Sequence, residues 1–119
     1  MLFRSLYQLG AEILVSARRT DEAEAEYRKA ASLDPRHEKS RFNLGLLFEK
    51  EGRFDEALSQ FEAAARIQPG YVRAHLRAAA ILEAKGDRPR AREHFQAALK
   101  AEPDNAEARE GLRRAQGKP

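Results

Sequence analysis

Three nine-residue phrases, YRKAASLDP at 27–35, FEAAARIQP at 61–69 and FQAALKAEP at 95–103, open on an aromatic residue and close on proline. Pro35, Pro69 and Pro103 therefore recur at a constant step of 34 residues. A fixed period of that size marks a repeat array, in which one small supersecondary unit stacks on near-copies of itself. That single regularity excludes most of what 119 residues could otherwise build.

The period divides the chain into units 4–37, 38–71 and 72–105. The first half of each unit carries apolar residues at helical spacing. These are Leu6, Tyr7, Gly10, Ala11 and Leu14, then Leu44, Leu47 and Phe48 with Gly45 among them, then Leu76, Ala79, Ile81 and Leu82. A polar break follows in every unit: RRTD at 18–21, GRFD at 52–55 and GDRP at 86–89. Gly52 and Gly86 suit the left-handed residue that ends a helix. Pro89 suits the first turn of the next, where a missing N–H is no loss. The second helices are expected from about Asp21, Asp55 and Pro89, with Asp21, Glu22, Asp55 and Glu56 complementing the helix dipole. Each unit reads as two antiparallel helices, joined to the next by a proline-marked turn.

Size alternates within the second helix. Ala23, Ala57 and Ala91 share one position, Ala30, Ala64 and Ala98 another, and Tyr27, Phe61 and Phe95 lie between them. Helices approach closely only where a methyl group faces the neighbour, and the ring fills the adjoining gap. A lone pair cannot bury its apolar face, so stacking supplies the missing partner.

The 34-residue period, Gly45, the alanine–aromatic–alanine series and the closing proline resemble the tetratricopeptide repeat. The resemblance spans residues 4 to 105 as three repeats and implies an all-α, right-handed α-solenoid. The tryptophan usual near the start of the first helix is replaced by Tyr7, Arg41 and His75, and Ala11 and Ala79 stand where Gly45 keeps the commoner glycine.

Beyond Pro103, DNAEAREGLRRAQ continues in phase, and a helix at 106–116 is expected. Glu107, Arg109, Glu110, Arg113 and Arg114 give it the polar surface that a terminal cap requires. At the other end Leu2, Phe3 and Leu6 lack such a cap: either they fold onto the first helix, or they mark a self-association surface or a truncated longer array. The apolar run near the N-terminus is interrupted by Gln8 and Glu12 and keeps the repeat register, so it reads as the first helix rather than a targeting segment.

Composition narrows the chemistry. There is no cysteine, which removes disulfides, thiol nucleophiles and cysteine metal sites and is compatible with a cytoplasmic setting. No glycine-rich phosphate loop and no histidine pair at metal-ligand spacing occur in the sequence. His37 is placed in a turn, His75 at a packing position and His94 in a second helix, each with a structural or solvated role. The acidic run DEAEAE at 21–26 spreads around a helix start rather than converging. Nothing calls for a cofactor or a small-molecule substrate, and an enzyme is not expected. The net charge of +3 is spread over mixed-sign surfaces without the long basic blocks of a nucleic-acid arm. A nucleic-acid contact through Arg36, Lys39, Arg41, Arg73 and Arg77 is the weaker alternative.

The resemblance implies where a partner would lie. In arrays of this kind the first helix of each pair lines a concave groove. The inward residues would be Ser5, Gln8, Leu9, Glu12 and Ser16, then Lys39, Phe42, Asn43, Leu46 and Lys50, then Arg73, Leu76, Arg77, Ala80 and Ala84. Apolar Phe42, Leu46 and Leu76 beside Lys39, Arg73 and Arg77 suit a short acidic or C-terminal peptide, because arginine grips a carboxylate with two parallel hydrogen bonds. One subgroup of the family clamps acidic C-termini with Lys, Asn, Asn, Lys and Arg. Asn43 and Arg77 match two of those places and Arg73 keeps the charge of a third. Gln8 and Glu12 depart, and Glu12 would set a negative charge against the ligand. The expected function is therefore a non-catalytic scaffold or adaptor holding a peptide or helix of a partner protein.

Overall fold

The computed structural model describes residues 19, 21–30, 32–34 and 37–117. Helix α1 runs through residues 21–30. It is followed by α2 (Glu38–Lys50), α3 (Phe54–Ile67), α4 (Val72–Ala84), α5 (Arg88–Ala101) and α6 (Ala106–Ala115). The array is all-helical among the described residues, and it packs as the repeat requires. Helix α2 lies on α3 and α4 on α5, while α3 packs on α4 and α5 on α6.

Local sequence explains the helix ends. The His37 ring accepts a hydrogen bond from the Ser40 N–H at 3.0 Å and starts α2. Asp87 caps α5 by accepting from the Arg90 N–H at 3.2 Å, with Pro89 in the first turn. Asn105 caps α6 through Ala108 N–H at 2.9 Å. Helix α3 has no side-chain cap but opens with Asp55 and Glu56, which offset the positive end of its dipole. Gly52 and Gly86 turn the chain between the helices of a pair, at φ of 78° and 81°. A side chain there would lie against its own backbone, which is why the break carries glycine.

The core follows the alternation of sizes. Phe42, Phe48, Phe61 and Leu82 are the largest fully buried side chains. Each contributes roughly 1.5–3 kcal/mol by leaving water. Ala57, Ala64, Ala91 and Ala98 are completely sealed, as are Ala74, Ala78, Ala79 and Ala108. Tyr27 of α1 packs against this core from its N-terminal side.

Ion pairs stitch successive helix pairs together along the rim. Glu24 meets Arg53 at 3.5 Å. Glu49 meets Arg77 at 3.0 Å and Glu62 meets Arg90 at 2.5 Å. Asp55 pairs with Lys85, and Glu83 with Arg114 at 2.8 Å. Exposed pairs of this kind contribute about 0–1 kcal/mol each, so they guide register more than they hold the fold.

Candidate functional site

Helices α2 and α4 are neighbours across the array. Lys39, Asn43, Leu46 and Lys50 follow one face of α2 at steps of four, three and four residues, and Arg73, Arg77, Ala80 and Ala84 repeat those steps on α4. Lys39, Asn43, Lys50, Arg73 and Arg77 are exposed, while Leu46 and Leu76 are half-buried against the core. Gln8 and Glu12, with Ser5, Leu9 and Ser16, lie outside the described residues, as do the N-terminal Leu2, Phe3 and Leu6.

Phe42 is placed differently from the sequence expectation. It is only 2% exposed and forms part of the core, not of the groove surface. Its ring stacks on Tyr71 at 5.1 Å between centroids and tilts against Phe61 at 5.4 Å. The Arg73 guanidinium lies 4.7 Å from its centroid and closes it from outside. Tyr71 closes the second unit at the start of α4 and Arg73 belongs to the third, so the burial of Phe42 is completed by stacking. Burial pushes the Tyr71 phenol above its ordinary range, with the nearby Arg73 charge opposing and Glu38 adding to the shift.

The charged groups divide into tied and open ones. Arg77 is held by Glu49 at 3.0 Å, so one of the two clamp-like matches is already engaged. Among the described residues no carboxylate pairs with Arg73, Lys39 or Lys50. Arg73 rests its flat face near an aromatic ring, which limits its freedom and leaves the N–H edge available.

Further along the same face is a cavity of about 400 Å³, lined by Glu49, Phe54, Ala80, Ile81, Ala84 and Lys85. Phe54 is half-exposed there. Sequence reasoning placed Ala80 and Ala84 on this face but missed Phe54 and Glu49. A signal did exist: Phe54 is a large apolar residue in a break where the other two repeats carry Thr20 and Arg88.

Sequence spacing also gave no hint that His75 and His94 would meet. They do, with ring centroids 5.2 Å apart. Among the described residues no group of three or more His, Asp or Glu side chains is arranged to hold a metal ion, and no helix is long and apolar enough to cross a membrane.

Stacked helix pairs with alanine-sealed contacts define a helical repeat array. The chain belongs to the tetratricopeptide repeat family, whose profiles match residues 9–72 and 48–115. Among solved structures it is similar to YrrB, described as a tetratricopeptide repeat protein with an unusual peptide-binding site. The two are 32% identical with a TM-score of 0.64, over 87% of this chain and 53% of YrrB. MamA is similar at 28% identity and a TM-score of 0.67, over 74% of this chain and 52% of MamA. The chain thus spans about half the length of either protein. The first such domain of Spaghetti (RPAP3), solved with an HSP90 peptide, has a TM-score of 0.71 over 89% of this chain and 84% of that one. At 24% identity it bears on the fold alone. No curated protein matches the sequence.

Proposed function

We propose that this chain is a non-catalytic interaction module whose α2–α4 face takes a short acidic segment of a partner protein. The observation that carries the reading is Arg73. Its guanidinium is propped near Phe42, open along its N–H edge, with Lys39 and Asn43 exposed on the adjoining helix. The likeness to YrrB, a protein described by its peptide-binding site, supports the same reading. The cavity beside Phe54 gives the segment's apolar side chains somewhere to go.

The test is fluorescence anisotropy with a panel of short acidic peptides, each made with a free and an amidated C-terminus. Wild type is compared with Arg73→Glu/Arg77→Glu. Binding is expected to weaken at least about tenfold in the variant, the equivalent of about 1.4 kcal/mol. Melting should fall only modestly, because the Arg77–Glu49 pair and the Arg73–Phe42 contact are exposed and contribute about 0–1 kcal/mol each. Equal binding by the two proteins removes the groove from the account. The amidated peptides then report whether the terminal carboxylate or the acidic side chains are recognised.

A further inference from the structure

The junction between the second and third repeats contains a chain of polar contacts that the groove does not use. His75 of α4 is 7% exposed. Its Nε2 lies 2.8 Å from the Pro69 carbonyl oxygen in the preceding turn. Its Nδ1 lies 2.9 Å from Nδ1 of His94 on α5. The far nitrogen of that ring, Nε2, is 2.9 Å from Oε2 of Glu62 on α3. The Arg90 guanidinium donates to the other oxygen of the same carboxylate at 2.5 Å.

Each contact needs one proton, and the partners dictate its place. A carbonyl oxygen only accepts, so His75 Nε2 donates. Partial burial pushes the Glu62 carboxyl up, but hydrogen bonds from His94 and Arg90 outweigh it and hold the group below the usual carboxylate range. Glu62 is therefore an ionised acceptor, and His94 Nε2 donates to it. Between the two Nδ1 atoms one ring must donate and the other accept. Three contacts require three ring protons, whereas two neutral imidazoles bring only two.

We infer that His75 and His94 together hold three ring protons, and so one positive charge, when the second and third repeats are docked, and that the junction loosens when the pair loses or gains a proton. A metal ion is a poorer occupant of the gap. Tetrahedral zinc, with bonds of about 2.0–2.1 Å to nitrogen, sets its ligands about 3.3 Å apart, whereas 2.9 Å is a hydrogen-bond distance.

Proton loss leaves two lone pairs facing each other at that distance, and proton gain sets two N–H groups against each other. Burial favours neutral His75, with the Pro69 carbonyl pulling the other way and the His94 charge adding to burial. The net direction is downward, so the stabilising neutral form is lost as pH falls through the folded-state value. The surrounding charges are Glu62 on α3 and Arg90 and Lys100 on α5; Lys100 lines the cleft of about 380 Å³ that also contains His75. Arg109 of α6 is turned to Asp104 and the Pro103 carbonyl. The inference rests on packing and is independent of what the groove binds.

Two measurements test it. Long-range ¹H–¹⁵N spectra of the wild type at neutral pH should show three protonated ring nitrogens among the four of His75 and His94. Two neutral rings would overturn the inference. Thermal melting between about pH 5 and 8, on wild type, His75→Phe and His94→Gln, is the second. The wild type is expected to show a maximum, falling by about 4–8 °C on either side, the size expected for one lost buried hydrogen bond. Relative to it His75→Phe should be flatter on both sides, whereas His94→Gln should lose the fall on the alkaline side and keep part of the acid one, because His75 stays buried. His37, whose ring caps α2, is common to all three proteins and cancels in the comparison. A wild-type profile that His75→Phe leaves unchanged would also overturn the inference.

Discussion

Gly111 and Phe95 meet so closely that a β-carbon on the glycine would fall 2.2 Å from the ring's Cε1. Phe61, the equivalent ring one repeat earlier, presses instead on Gly45 of its own helix pair, where a β-carbon would lie 2.7 Å away. In the third repeat the place of Gly45 is taken by Ala79, and the close glycine neighbour of the ring has passed to α6. Gly111→Ala should therefore unseat the terminal helix, with a melting loss at least as large as that of Gly45→Ala, about 1–3 kcal/mol for overpacking. Amide exchange in α6 should rise for Gly111→Ala and stay near wild type for Gly45→Ala.

Ala57 is completely sealed on α3. Ala57→Leu adds bulk where the helices already touch, and about 1–3 kcal/mol of destabilisation is expected. Urea unfolding checks it; an unchanged midpoint would mean the contact is looser than its burial indicates.

The Asn105 side chain accepts from the Ala108 N–H at the start of α6. Asn105→Ala leaves that donor to water, at a cost of about 0.5–2 kcal/mol. The loss should appear mainly as faster amide exchange in the first turn of α6, because the substitution leaves the other helix starts untouched.

Glu62 ties α3 to α5 through His94 and Arg90. Its folded carboxyl is held below the usual value, so its contribution is present above the unfolded carboxylate range and is lost as pH falls through the folded value. The gap in melting temperature between wild type and Glu62→Gln should be widest above about pH 5 and narrow in stronger acid. A gap that stays constant down to strong acid would show that the ionised carboxylate is not what holds the helices.

The periodicity made the helix pairs legible because it reports what every repeat must satisfy. Ala57, Ala64, Ala91 and Ala98 are buried as their spacing required, and helices α3 and α5 begin within a residue of the expected starts. What differed depends on neighbours rather than on period. Phe42 occupies an inward position by phase, yet Tyr71 from the end of its own unit and Arg73 from the next cover it. His75 and His94 are 19 positions apart on different helices, a separation that fits no ligand spacing and becomes contact only once α4 and α5 pack. The shared faces of exposed Lys39 and Asn43 on α2 and of Arg73 and Arg77 on α4 were readable from their spacing. That Glu49 already holds Arg77 was not, because the pair joins two repeats.

The ion pairs along the rim share an arrow. From Glu24–Arg53 through Glu49–Arg77, Asp55–Lys85 and Glu62–Arg90 to Glu83–Arg114, the acid always comes earlier in the chain and the base later. Each helix pair thus offers a negative socket to its successor and a positive plug to its predecessor. Two such units brought together head to head would set like charges against each other, and so would two brought tail to tail. The weak pairs that add little strength thereby give the stack a direction, and a unit cut out and spliced elsewhere in the row would still know which way to face.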